Sequence, residues 1–358
     1  MRESIEEERW QKALLQDLRS FKNSITDKKV TSIFFGGGTP SLMAPRTVEK
    51  IIQEVDSLWG VDPGVEITLE ANPNSAEATK FKDLAMAGIN RVSLGIQALN
   101  QKDLAFLGRK HSLSESYQAL DWASQYFDRF SFDLIYARPT QTLSEWEKEL
   151  EDALKLAKGH LSLYQLTIEE GTPFYLSYHR GDFKMPSEEE SALFYEYTNE
   201  KMAHHNFEAY EISNYAMLGQ ESRHNLTYWR YEDYIGVGPG AHSRVPLSGA
   251  KCAVRRHRSP ELWMKQVEET SNGTHEVKAL SDKDKMVEFL MMGLRLREGI
   301  SRGAFVSEIG RDIREVVDPK KLDALIQEGL FYLEDKRFGL TDVGRQKLNS
   351  VLGFMTSL

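Results

Sequence analysis

The sequence predicts an α/β fold: a partial (β/α) barrel followed by a C-terminal module of winged-helix-like texture. Three observations predict it. Short apolar runs alternate with helical patterns through the first half, the signature of a parallel sheet with right-handed crossovers. Only five such units are present, which suggests an open barrel rather than a closed eight-fold one. Near Ser281 the texture changes to helix, Gly-Leu and hairpin. The expected division is a barrel over 1–245, a connecting segment over 246–280 and a C-terminal domain over 281–358.

The N-terminal stretch reads as an amphipathic helix, with Ile5, Trp10, Leu14, Leu15 and Leu18 on one face. Residues 30–35 form the first strand, ending in Gly36-Gly37-Gly38, and 45–58 a helix. A second strand, 65–69, ends at Glu70, and a helix leads to Gly88. The third strand, 91–94, ends in Gly95-Ile96-Gln97 before a helix over 114–127. The fourth, 129–135, precedes Ala137-Arg138-Pro139 and a helix over 144–158, and the fifth spans 161–166. A helix is expected over 188–209, with short strands over 210–215 and 234–237. Helices over 285–295 and 319–328 belong to the C-terminal module.

Composition narrows the classes. Hydrophobic residues make up 41% of the 358, enough for a sizeable core. A formal net charge of -9 argues against a broad nucleic-acid-binding surface. The single cysteine, Cys252, excludes an intrachain disulfide framework and a Cys-based zinc knuckle. It is read as a buried, unreactive thiol. No apolar run approaches membrane-spanning length. The acidic N-terminus is neither a signal nor a transit peptide, and a chain that opens inside a helix is expected to have lost something upstream.

In parallel α/β architecture the carboxyl ends of strands carry function. Here they carry Gly36-Gly37-Gly38-Thr39-Pro40, Glu70, Gln97 and Asp133, with Arg109 in the next loop. Three glycines let backbone amides approach a ligand closely, though a tight turn would look the same. Singly, each polar residue reads as a solvated loop residue; together they can converge on one polar ligand. His224, Tyr228 and Trp229 form an HNxxYW block. Its histidine is either an iron ligand or a backbone-bonded imidazole beside core aromatics. His204-His205 reads as solvated surface, and Glu188-Glu189-Glu190 as a helix N-terminal charge run.

FFGGGTPSLM, ITLEANPNS, RVSLGIQALNQKDLAFLGRKHS, FDLIYARPTQT, LSLYQLTIEEGTPF, YEISNYA, HNLTYWRYEDYIGVGPGAHSR and MGLRLREGI follow in this order. They resemble the radical S-adenosylmethionine proteins of the HemN/HemW type across essentially the whole chain. The HNxxYW block and Leu163-Tyr164-Gln165-Leu166-Thr167 resemble the haem-chaperone branch more than the coproporphyrinogen oxidases. The resemblance implies a partial barrel of the radical SAM type, S-adenosylmethionine, a [4Fe–4S] cluster, haem and haem-acceptor proteins. It implies that Gly37, Gly38 and Thr39 hold the methionyl end of S-adenosylmethionine. Glu70, Gln97, Arg109 and Asp133 match positions that contact this ligand, and Thr167 and His242 match its adenosine end. His224 becomes the haem candidate.

Two departures qualify the resemblance. The family's CxxxCxxC, expected upstream of the first helix here, is not in the sequence, so no metal ligand and no catalytic residue is assigned. Arg138 stands where the family usually has leucine in Gly-Leu-Pro and is expected to alter the floor of the site. The expected role is a haem chaperone lacking its cluster segment. The alternatives are a coproporphyrinogen-oxidase-like radical enzyme of porphyrin biosynthesis and a cluster-free adaptor. Resemblance to animal relatives implies mitochondria, with cytoplasm as the alternative. A homodimer is left open, and neither nucleic acid nor a transmembrane segment is expected.

Overall fold

A computed structural model describes residues 6–357; Ile5 of the predicted first helix lies outside them. Seven strands form one sheet: β1 (Val30–Phe35), β2 (Val61–Ala71), β3 (Arg91–Gln97), β4 (Arg129–Tyr136), β5 (His160–Gln165), β6 (Glu208–Ala209) and β7 (Asn214–Ala216). Their order is β1-β2-β3-β4-β5-β7-β6. β2 through β5 pair in parallel, whereas β7 runs antiparallel to β5 and β6 to β7. This is the expected partial barrel, with an antiparallel margin that serial β-α reading does not reveal. Capping boxes at Ser112/Glu115 and Thr142/Glu145 start the helices Leu113–Tyr126 and Leu143–Leu156, satisfying amides that would otherwise lack partners.

The chain divides into two compact units. One comprises Phe34–Leu42 and Ile67–Glu221; the other comprises Met1–Ile33, Met43–Glu66 and Ser222–Leu358. In the first, strand residues alternate sharply between faces. Leu69, Val92, Leu94, Ile96, Phe132, Leu134 and Leu161 are 0% exposed and form an apolar layer. The opposite face is polar. Arg91 donates to Ser131 Oγ at 2.9 Å and to Thr68 Oγ1 at 3.5 Å, and Ser131 donates to Ser93 Oγ at 3.1 Å. These hydrogen bonds offset the desolvation of buried polar groups and leave that face suited to a polar ligand.

In the second unit the helix Glu7–Arg19 is anchored through Asp17, which is 0% exposed. Three strands, β8 (His242–Leu247), β9 (Ala250–Arg256) and β10 (Thr274–Ala279), form an antiparallel sheet in the stretch expected to connect two domains. Near the C-terminus, β11 (Ile300–Ser301), β12 (Phe331–Leu333) and β13 (Arg337–Leu340) pair in the order β11-β13-β12. The helices Arg302–Ile309 and Pro319–Gln327 precede the β12-β13 hairpin, as a winged-helix-like module requires.

Three expectations are corrected. The helix predicted over 188–209 ends at His204, because Asn206 adopts φ 64 and starts the turn into β6. The strand predicted over 210–215 is confined to Asn214–Ala216. The strand predicted over 234–237 is reduced to one bridge, Tyr234 to Arg244, in a segment interrupted by Gly236 and Gly238. Cys252 is 5% exposed within β9, opposite Val245 and Ala279.

Candidate functional site

The site grows from the carboxyl end of the parallel sheet in the first unit. Beyond β1 the chain turns through Gly37 and Gly38 at φ 76 and 65, a region closed to most residues. A Cβ at either would meet nothing within 4 Å, so the backbone there is open to a ligand. Gly36 has the opposite constraint. A Cβ would lie 2.7 Å from the Phe34 ring and 3.3 Å from Glu70 Oε2. The loop passes that close because Gly37 N–H donates to Glu70 Oε2 at 3.2 Å.

Glu70 ends its strand half-buried. Burial pushes its carboxyl up, against the pull of the Gly37 amide. Asp133, aligned with Ser162 on the next strand, is pushed up to about 6. Burial is the main cause and the charge of Glu70 adds to it; the Ser162 hydroxyl, Arg91 and Arg109 oppose it. Arg109 is pulled down by burial and partly held up by Asp133. Glu70, Asp133 and Arg109 therefore share one electrostatic neighbourhood. His111 is 7% exposed, contacts the Ile96 carbonyl through Nε2 at 3.2 Å, and is pulled down by burial and by Arg109. Gln97 sits at a register shift with φ 75 and is 8% exposed. Its amide lies 3.2 Å from where a Cβ on Gly95 would fall. Two carboxylates, a guanidinium, a carboxamide and an open glycine backbone can together hold a zwitterionic ligand bearing hydroxyl groups.

Thr167 is exposed beyond β5, and its hydroxyl donates to the Gln165 carbonyl at 3.4 Å. His242 belongs to the second unit, exposed at the start of β8, where partial burial, Arg255 and Arg244 lower its pKa. Also in the second unit, His224 is half-buried on the helix Arg223–Trp229. Its amide donates to Glu66 Oε1 at 3.1 Å, and its ring packs edge-on to Tyr228 at 4.7 Å. Tyr228 meets Tyr234 at 4.4 Å, and Arg295 lies 4.5 Å over Trp229. Neither Tyr228 nor Trp229 is fully buried, so they are not simply core aromatics.

Arg138 does not form an open floor. It is 2% exposed, and its guanidinium binds Glu149 at 2.5 Å, Asp103 at 2.8 Å and the Ile135 carbonyl at 2.7 Å. Glu149 also accepts from Leu99 N–H at 2.7 Å, so the network ties the β3 and β4 loops to the helix Leu143–Leu156. Arg138→Leu is expected to cost about 2–3 kcal/mol in urea unfolding. That is below the ~3–5 kcal/mol for breaking a buried pair, because Asp103 and Glu149 keep other donors. The sequence did carry a signal for the polar face of the sheet that holds Arg91, Ser131 and Asp133. R-x-S, R-x-S-x-D and H-x-S recur on β3, β4 and β5 with period two.

The chain matches the Radical SAM superfamily over residues 7–153 and the HemN C-terminal domain over residues 280–346. It is 39% identical over 278 residues to a Danio rerio protein named radical S-adenosyl methionine domain-containing protein 1, mitochondrial. That match covers 76% of this chain and 63% of the relative, so the chain spans less than two thirds of its length. The Mus musculus protein of the same name is 34% identical over 97% of this chain and 80% of its own. A Haemophilus influenzae protein named heme chaperone HemW is 33% identical over 95% of this chain and 86% of its own. Among solved structures, the HemN coproporphyrinogen III oxidase of Escherichia coli matches the fold with a TM-score of 0.79. Identity is 19%, with 100% of this chain and 85% of that one covered.

Proposed function

Since this chain belongs to the radical SAM family that includes HemW and radical S-adenosyl methionine domain-containing protein 1, we propose that it is a HemW-like haem chaperone. In this reading it holds S-adenosylmethionine at the sheet end and passes haem to acceptor proteins. The supporting geometry is the convergence of the Gly37 loop, Glu70, Asp133 and Arg109. Gly37, Gly38 and Thr39 would take the amino-acid end, with Arg109 pairing its carboxylate and Glu70 its ammonium. Asp133 and Gln97 would bind hydroxyl or amine hydrogens of the rest. Thr167 is proposed for the adenosine end on resemblance alone. Bound S-adenosylmethionine would supply a reactive sulfonium.

A [4Fe–4S] cluster does not fit the residues present, since it takes several thiolates and the only cysteine is buried in β9. Among the described residues no group of three or more His, Cys, Asp or Glu is placed to hold a metal ion. No radical step is assigned to these residues. Haem fits better. His224 offers an imidazole beside Tyr228, and nearby Trp229 Nε1 is buried with no hydrogen-bond partner among the described residues. A mitochondrial location, in the names of the animal relatives, belongs to the proposal. No helix among the described residues is long and apolar enough to cross a membrane.

Asp133 gives a pH test. Its carboxyl titrates at about 6 in the folded chain, above its ordinary 3.8, so the folded state keeps this proton longer than the unfolded one. Its contribution to stability is therefore greatest below pH 3.8 and declines as pH rises to about 6. The ionised form binds ligand hydroxyls through the stronger, charge-assisted hydrogen bond. S-adenosylmethionine affinity by calorimetry is expected to be about ten-fold weaker at pH 5 than at pH 7.5. Asp133→Asn should flatten that profile, and an unchanged slope in the variant would remove Asp133 from the site.

A further inference from the structure

Glu77 is 4% exposed and lies in the helix Ser75–Ala78, between the glycine loop and the loop that follows Glu70. Its carboxylate receives four donors. Oε2 accepts from the Ser41 hydroxyl and from Asn72 N–H at 2.8 Å. Oε1 accepts from Asn72 Nδ2 at 3.2 Å and Asn74 Nδ2 at 2.6 Å. Ser41, 0% exposed, closes the Gly36–Ser41 loop. Lys80 Nζ adds bonds to the Ser41 carbonyl at 3.5 Å and the Leu42 carbonyl at 3.3 Å. The loop is thus pinned at both ends, through Gly37 to Glu70 near the end of β2 and through Ser41 to Glu77 in the segment after it. Between the pins lies the open backbone of Gly37 and Gly38.

We infer that Glu77 is a positioning residue: it clamps the two strand-end loops together and so sets the place of the glycine backbone and of Glu70 for the amino-acid end of the ligand. This rests on the S-adenosylmethionine reading above. The chemistry is specific to a carboxylate. Both oxygens face donors, two apiece, and an ionised carboxylate only accepts. A glutamine of the same shape turns an NH₂ group toward one of those donor pairs; the Ser41 hydroxyl can turn to accept from it, but the Asn72 N–H cannot, so at least one hydrogen bond is replaced by donor facing donor. Buried polar groups left unpaired in this way make the arrangement unfavourable, so the loops should separate.

The test compares wild type, Glu77→Gln and Ser41→Ala by calorimetry against two ligands. S-adenosylmethionine carries the amino-acid end; 5′-methylthioadenosine keeps the adenosine and lacks that end. The expected result is about ten-fold weaker binding of S-adenosylmethionine by Glu77→Gln, with 5′-methylthioadenosine unchanged. Ser41→Ala, which removes one of the four donors, should lie between. Ten-fold corresponds to about 1.4 kcal/mol. Equal weakening of both ligands would mean a general structural defect, and no weakening would mean no clamp; either overturns the inference. Hydrogen exchange of the ligand-free proteins supplies a second readout. Glu77→Gln should speed exchange in residues 36–42 and leave β3 to β5 unchanged. If wild type binds neither ligand, the S-adenosylmethionine reading fails. The inference that Glu77 positions the site for that ligand fails with it, and the exchange data then decide only whether the loops are clamped.

Discussion

Asp17→Ala is expected to destabilise the chain by about 3–5 kcal/mol in urea unfolding, the range for stripping one partner from a buried ion pair. Asp17 is wholly buried and pairs with Arg256 at 2.9 Å, a residue itself 4% exposed. It also accepts from Trp263 Nε1 at 3.1 Å, Gly273 N–H at 2.9 Å and Gly238 N–H at 3.2 Å. Removing the carboxylate leaves a buried guanidinium without its counter-charge, although Asn272, Thr274 and Ser20 still accept from it, and leaves three buried donors unmatched. Burial already pulls Arg256 below its ordinary pKa, and Asp17 is what opposes that. Stacking of Arg256 over Phe21 at 4.4 Å remains in the variant but does not replace a counter-charge. Asp17→Asn keeps an acceptor and should fall between. A loss below about 1 kcal/mol for Asp17→Ala would mean that the charge is not the anchor of the first helix.

Glu70→Ala is expected to weaken S-adenosylmethionine binding by about 30–100-fold, equivalent to about 2–3 kcal/mol. Two effects combine. The ligand loses a charge partner in a half-buried setting, where such a contact is stronger than in water. The Gly37 N–H also loses its acceptor, which frees the loop at one of its pins. Glu70→Gln keeps an acceptor for Gly37 and should lose less, which separates the charge from the loop contact. Calorimetry at pH 7.5, where Asp133 is ionised, avoids mixing the two carboxylates. Equal affinity in wild type and Glu70→Ala would place the ligand elsewhere.

The strands were legible where a short apolar run is bounded by turn residues. β1 begins and ends where the apolar run does, and the capping boxes mark two helix starts within a residue. Gly37, Glu70, Asp133 and Arg109 were legible because a parallel sheet delivers each strand end to the same rim. Other features depend on partners remote in sequence. Asp17 looks like the polar face of an amphipathic helix, but its Trp263 partner is 246 residues away. Arg138 reads as a loop residue until Glu149 and Asp103 fold around it. Glu77 resembles an ordinary acidic first-turn residue, and only Ser41, on another strand end, shows it to be buried and fully bonded. The end of the helix at His204 turned on one left-handed residue, Asn206, in a segment whose periodicity continues past it.

Haem titration followed by transfer tests the chaperone assignment most directly. The purified chain would be titrated with haem and followed by its Soret absorption, then mixed with apomyoglobin. The expected result is saturation at one haem per chain, a Soret band altered in His224→Ala, and transfer to apomyoglobin faster than haem release into buffer. An absence of saturable haem binding, or transfer no faster than release, would contradict the assignment.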